Sequence, residues 1–397
     1  MTFLEENRHL LEEKRDTLKE WFTRKRAEVP IPIYGSVDIR DSGWKACVVD
    51  ANHFPAGFNN VSADEEPRLS QLLKEHIIRR HENCEWVHLY PESHTRNQAY
   101  VENVKVIERL IELTGFRVTV GSPELAGHGS LDGITGPLKL VDVVVEGDSL
   151  MIDGKKPCLI LLNNDLTEGI VPGLESQQTS PPVEMGWHRR RKSEHYSVLK
   201  EYVDEVCEII GIEPWRLTTE WFVSEDKCLD EDECRIKLAA EVDDFIRNIK
   251  ERYVKHGIER EPVVFIKNDR GTYGLGILTI RSGDELLELS NRKMKKLSYG
   301  KGRTVNENFL IQEGVPTQFN DDGPIEPVVY LIDGEAASWF YRINSKKSDI
   351  DNLNSPSAIF QRRDQMPEWL TKDAEGWHAL VAELSMLAMG REMEVRS

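Results

Sequence analysis

Apolar residues recur at near-helical spacing through a charged opening stretch, where Leu10, Leu11, Leu18, Trp21 and Phe22 mark a helix over residues 3–27. The two prolines of VPIPIYG break that helix. The pattern then changes to short apolar runs. YGSVDIRDSG and WKACVVDAN predict a strand pair, followed by a helix at about 67–82 and a strand in CEWVHLY. A helix at about 96–114 and a strand in FRVTVGS follow. PLKLVDVVVEG and SLMIDGK read as neighbouring strands, and KPCLILLNND as a continuous apolar one. Strands that alternate with helices, some of them apolar throughout, predict a covered and largely parallel sheet.

Residues 166–192 carry no periodicity, and a loop of that length in a compact domain is usually functional or disordered. Helices are expected at about 193–211 and 231–256. From 263 onward the chain turns to the short strands PVVFIK, GILTI, NFLIQEGV, EPVVYLIDG and EAASWFYRIN, with helices at about 283–297 and 374–394. The expected organisation is an N-terminal helix (1–29), an α/β unit with a mostly parallel sheet (30–192), a helical segment (193–262) and an antiparallel α+β unit (263–397).

Charge narrows the function classes. The formal net charge is −18 over 397 residues. An acidic surface repels phosphate backbones and anionic membranes, so neither nucleic acid nor membrane is expected as a partner. No stretch approaches the roughly 20 apolar residues of a membrane helix. The opening MTFLEENRHLLEEKRD lacks the apolar segment of a signal peptide, and a cytoplasmic location is expected. Six cysteines without CxxC spacing read as reduced thiols, with Cys47 and Cys158 as small core residues. Oligomeric state is left open.

The densest chemistry lies in VVFIKNDRGTYGLGILTI. A strand ends in Lys267, and Gly271, Thr272, Tyr273, Gly274 and Gly276 follow in a loop before a second strand. Glycines let backbone N–H groups turn toward an anion, and a lysine adds a point charge to the same phosphates. Strand–loop–strand is neither a Walker A loop nor a dinucleotide fingerprint. A Gly-rich hairpin with a solvated lysine is the plain alternative. Downstream, FLIQEGV brings Gln312, Glu313 and Val315, and EPVVYLIDGEAASWFYRIN forms a hairpin carrying Glu326 and Arg342. This order resembles an ATP-grasp fold. The resemblance implies ATP and Mg²⁺, with Lys267 and the glycine loop at the phosphates, residues 312–315 at the adenine and Arg342 at the transferred phosphoryl group. Many ATP-grasp proteins carry a late Glu-x-Asn metal pair, which is absent here.

The stretch VVDANHFPAGFNN can fill that gap. In an extended chain residues two apart point to one side, so Asp50 and Asn52 converge. An Asx turn or a helix cap accounts for the same residues. Arg40 followed by an apolar strand and an acid-x-Asn pair resembles the eukaryotic-type glutathione synthetases, a permuted ATP-grasp family. That resemblance implies Mg²⁺ at Asp50 and Asn52, substrate at Arg40, and Asp269 as a third ligand.

Longer motifs narrow it further. DIRDSGWKACVVDANHFPAGFNN, PESHTRNQAYVENV, LILLNNDLTEGIVP, GWHRRRKSEHY, KNDRGTYGLGI, QEGV and NLNSP occur in order. From about residue 30 onward the chain resembles a small bacterial glutamate–cysteine ligase family. It departs from the pattern after Pro356, where Ser357 stands in place of an expected glycine. The resemblance implies ATP-dependent joining of the glutamate γ-carboxylate to cysteine through an acyl phosphate. Substrate-binding candidates are Arg40, Asn59, Asn60, Arg96, Asn97, Asn164, Arg190 and Asn354. Arg96 can grip a carboxylate bidentately, although Asn97 fits a helix cap equally well. Arg190 belongs to a basic run, 189–192, that reads either as an anion funnel or as a solvated patch. The same ligase chemistry on another amino-acid pair, and nucleotide binding without catalysis, are the alternatives.

Overall fold

The computed structural model describes residues 2–224, 232–270, 277–290, 293 and 308–396. Its principal strands are β1 (Tyr34–Asp41), β2 (Ala46–Asn52), β3 (Trp86–Pro91), β4 (Arg117–Val120), β5 (Leu159–Asn163), β6 (Thr179–Ser180) and β7 (Trp221–Ser224). They continue with β8 (Val264–Asn268), β9 (Leu278–Ile280), β10 (Phe309–Glu313), β11 (Gly323–Ile332), β12 (Glu335–Ile343) and β13 (Ile359–Arg362). The longer helices are α1 (Arg15–Glu28), α2 (Glu66–Arg80), α3 (Gln98–Thr114), α4 (Lys192–Ile210), α5 (Asp232–Lys255) and α6 (Glu375–Arg396).

Three sheets carry the architecture. A central antiparallel sheet runs β13–β12–β11–β1–β2. A parallel sheet runs β6–β5–β3–β4, and a second antiparallel sheet runs β7–β10–β8–β9. The mixed α/β and α+β class read from the sequence is thus present. Sheet membership differs from the expected division. The strand pair β1–β2, grouped from sequence with the parallel sheet, pairs with β11 from the far end of the chain. Chain-local patterning cannot specify such a partner. The predicted opening helix is divided at Asn7 and Lys14 into Phe3–Glu6, Arg8–Glu13 and α1. The helix expected over 283–297 spans Gly283–Leu287 among the described residues.

Local chemistry explains the boundaries. Asn97 caps α3, its side chain accepting from the Tyr100 N–H, and Gly115 ends the helix at φ 91°. Gly211 ends α4 in the same left-handed way. β5 is buried along its whole length because α3 covers one face and a small apolar cluster with Tyr90, Leu150 and Ile152 the other.

Period-two alternation divides the central sheet between two cores. Val329 and Leu331 pack with Val37 and Ile39 against α1, α4 and α6. Val328, Tyr330 and Ile332 face α2, α3 and the parallel sheet. The second face turns polar toward one end, where Ser36, Asp38, Arg40 and Glu326 replace apolar residues. There the apolar core ends and a cleft begins.

Cys84 and Cys158 form a disulfide, with Cα atoms 5.5 Å apart and 74 residues of separation. The reading of all cysteines as reduced thiols is corrected for this pair. The parallel pairing of β3 with β5 brings the two positions side by side. Cys47 and Cys207 are buried free thiols. No helix among the described residues is long and apolar enough to cross a membrane.

Candidate active site

The polar end of the central sheet faces β8 of the second antiparallel sheet across a cleft of about 1250 Å³, counted out to open solvent. Six of the candidate catalytic, metal and binding residues line it, namely Arg40, Asp50, Asn52, Lys267, Arg342 and Asn354, together with Glu326 and Lys192. The six come from β1, β2, β8, β12 and the loop after β12, so only the folded chain brings them together.

A bulge sets the geometry. Ile39 pairs with Val48, but the next position of β1, Asp38, pairs with Asp50. The extra residue, Val49, shifts the register by one and turns Asp50 and Asn52 onto the face of Asp38. Ala51 between them points into the apolar core. The Val49 carbonyl accepts from Lys267 Nζ at 3.2 Å and from the Tyr196 hydroxyl.

Charge pairs cross the strands. Arg40 Nε lies 2.7 Å from Glu326 Oε2, with both side chains 4% exposed. Arg342 donates to Asp38 Oδ2 at 2.9 Å and to Glu326. Lys192 reaches Asp50 and lies 4.5 Å from the centre of the Trp187 ring. Lys267 donates to Gln312 Oε1 at 2.8 Å. Burial, with Lys192 beside it, lowers the Lys267 ammonium to about 8, although Asp50 opposes the shift. Burial pushes the Asp38 carboxyl up to about 6 against the pull of Arg342. Burial also works against Asp50, but Lys192, with Lys267 and Arg190, outweighs it and holds that carboxyl below its usual range.

Other expected site residues lie elsewhere. The Asp269 carboxylate accepts from the backbone and hydroxyl of Ser193, each at 2.8 Å, at the start of α4, and Arg191 stands 3.7 Å away. It does not line the cleft, so the expected third metal ligand is engaged as a helix anchor. The Glu313 side chain is fully buried and paired with Lys45 and the Trp215 indole. Gln312 holds Lys267 from behind, and Val315 is buried. Arg190 is 2% exposed and belongs neither to a surface funnel nor to a solvated patch. Asn97 takes the helix-cap role, Arg96 lies on a shallow rim with it, and Asn164 closes a turn onto the Leu166 N–H. Asn59 and Asn60 form a 3₁₀ turn outside the cleft lining. Gly271, Thr272, Tyr273, Gly274 and Gly276 lie outside the described residues.

Sequence reasoning passed over Asp38 and Trp187 and did not single out Lys192 within its run. Asp38 was within reach, because it stands two residues before Arg40 on the same strand face. Lys192 was visible only as one member of a basic run. In the structure that run is divided between the core (Arg190), the cleft (Lys192) and Asp269 (Arg191).

Asp38, Asp50 and Asn52 offer hard oxygen donors on one face, which is the chemistry Mg²⁺ prefers. Among the described residues no group of three His, Cys, Asp or Glu side chains is arranged to hold a metal by itself. A Mg²⁺ shared with substrate phosphates needs only one or two protein carboxylates, so the donor set fits that mode.

Two antiparallel sheets thus face each other across a cleft lined by paired cations and carboxylates. The chain matches the glutamate-cysteine ligase (GshA) family over residues 7–393, and it belongs to that family. A crystal structure from Methylobacillus flagellatus KT, provisionally named gamma-glutamylcysteine synthetase, is similar at 30% identity and a TM-score of 0.88. That likeness covers 98% of this chain and 95% of that one. A glutathione synthetase-like effector from Globodera pallida shares 10% identity at a TM-score of 0.42, over 90% of this chain and 84% of that one, a likeness too weak to carry weight. None of the curated proteins compared with the chain matches it.

Proposed function

We infer that the protein is a glutamate–cysteine ligase, forming γ-glutamylcysteine with the use of ATP, the first step of glutathione biosynthesis. The observation that carries this reading is family membership over nearly the whole chain. The cleft supports it by supplying the residue types the chemistry needs.

The glutamate γ-carboxylate attacks the γ-phosphorus of ATP, and the bond to the ADP oxygen breaks. The resulting acyl phosphate is attacked by the cysteine amine. Phosphate leaves with the C–O bonding pair, and the amine proton passes to solvent or to a carboxylate. In the first step charge spreads over the phosphoryl oxygens, so cations held in place beforehand are the main catalytic device. Arg342, fixed by Asp38 and Glu326, is the cation proposed for the transferred group. Lys267, backed by Gln312 and Val49, is proposed for the ATP phosphates. Arg40, held by Glu326 and by the carbonyls of Asp349 and Asp351, is proposed for the glutamate carboxylate. Asn354 stands at the rim for a substrate polar group.

Asp50 and Asn52, beside Asp38, would hold Mg²⁺, which would supply neutralisation of phosphate charge there. Lys192 holds Asp50 ionised and ready. Exclusion of water from the acyl phosphate falls to segments bordering the cleft, with Trp187 and Phe54 as apolar walls.

The deciding assay is ADP release with glutamate plus cysteine, compared with each amino acid alone. Release above background only with the pair is expected. Turnover with a different amine or acid, and none with this pair, overturns the substrate assignment.

A further inference from the structure

The C-terminal helix α6 carries a carboxylate that the proposed chemistry does not use. Glu392 is 4% exposed. It gathers three side chains from two other segments, the start of α4 and the end of β2. Arg190 Nε lies 2.6 Å from Oε2 and Nη2 lies 3.2 Å from Oε1. His195 Nδ1, in the first turns of α4, lies 2.5 Å from Oε1, and His53 Nε2, just after β2, lies 3.6 Å from Oε2. Burial opposes ionisation of this carboxyl, but Arg190 and His195 more than offset it, and the group is held well below its usual range.

The remaining guanidinium nitrogen of Arg190, Nη1, donates to the Ala51 carbonyl. Ala51 is the residue between Asp50 and Asn52 and points the opposite way, into the core. The same guanidinium lies 4.9 Å from the centre of the Trp187 ring, whose other cation is Lys192, the partner of Asp50. A buried ion pair adds little stability over well-packed apolar residues of the same volume. What this one supplies that apolar residues would not is direction: it aims a donor at the peptide beside the bulge.

We propose that Glu392 is a positioning residue for the ligase reaction, which acts through Arg190 to fix the Ala51 peptide and with it the angle at which Asp50 and Asn52 enter the cleft. The proposal rests on the reading of Asp50 and Asn52 as site residues.

The test uses the full chain, with ADP release and thermal unfolding measured on the same preparations. Glu392→Gln keeps the shape and removes the charge. A fall in kcat of about 10- to 100-fold is expected, the size typical of losing an outer-sphere partner, with KM for glutamate and cysteine nearly unchanged. Val381→Ala in the same helix, buried in the core away from the cluster, is the control for lost stability and is expected to lower Tm with kcat unchanged. Wild-type kcat in Glu392→Gln overturns the proposal, as does a loss of kcat that merely follows Tm in both variants. If Glu392→Gln does not fold, Arg190→Lys replaces it. A lysine keeps the charge but cannot serve both the carboxylate and the Ala51 carbonyl, so the same fall in kcat is expected and an unchanged kcat is again contrary. Asp50→Ala separates the two ways of failing. Retained turnover in that variant removes the site reading and the proposal with it. Lost turnover in Asp50→Ala beside normal turnover in Glu392→Gln removes only the positioning role.

Discussion

Asp38 and Asp50 stand opposite each other across β1 and β2, brought into register by the single extra residue Val49. Two carboxylates this close repel unless cations lie between or beside them, and here Arg342 serves one and Lys192 the other. That arrangement supports the proposed role of Asp50 as a site residue. Asp50→Ala is therefore expected to lower kcat by at least about 100-fold, the size seen when one electrostatic contact to a transition state is removed. The melting temperature should stay close to wild type, because the Asp50 side chain is 28% exposed and a partly solvated ion pair adds little stability. Near-normal activity would return Asp50 to the role of a polar turn residue.

Lys267 sets an expectation for pH. Its ammonium, lowered to about 8 chiefly by burial, must be protonated to attract ATP phosphates. The fraction charged falls as pH rises through that value, so kcat/KM for ATP in the free enzyme should decline above about pH 8 with the loss of one proton. Lys267→Arg should move this alkaline limb upward, because a guanidinium stays charged throughout the range. An alkaline limb that is unmoved in Lys267→Arg assigns it to another group.

Glu313 offers the opposite kind of test. It was expected at the nucleotide, but its carboxylate lies 2.8 Å from Lys45 Nζ with both side chains fully buried, and the Trp215 indole donates to it. Glu313→Ala leaves a buried ammonium without its counter-charge, which costs about 3–5 kcal/mol. A large fall in Tm is expected, with KM for ATP unchanged in the protein that remains folded. A raised KM with unchanged Tm would restore Glu313 to the nucleotide site.

Much of the candidate site was legible. Lys267 is marked by its place at a strand end before a glycine loop, Arg342 by its place in the closing hairpin, and Asp50 and Asn52 by strand alternation. The misplaced residues share one cause. Glu313, Arg190 and Asp269 are charged groups whose sequence neighbours suggest solvent or ligand, yet each is satisfied by a partner distant in sequence: Lys45, Glu392 and the Ser193 turn. A buried charge has to be paired, and sequence does not say whether its partner is a ligand or another part of the chain.

Strand and helix identity followed from periodicity, because alternation and 3.6-residue spacing are properties of a local stretch. The family followed from several long motifs in order. Pairing of β1 with β11 and the burial of Arg190 beneath Asp50 depend on contacts between segments nearly 300 and about 140 residues apart, and the one-residue shift that aims Asp50, though it lies between neighbouring strands, is not marked by any residue pattern. These were decided only in the tertiary structure, where each backbone edge and each buried charge had to find a partner and the chain offered many that sequence alone cannot rank.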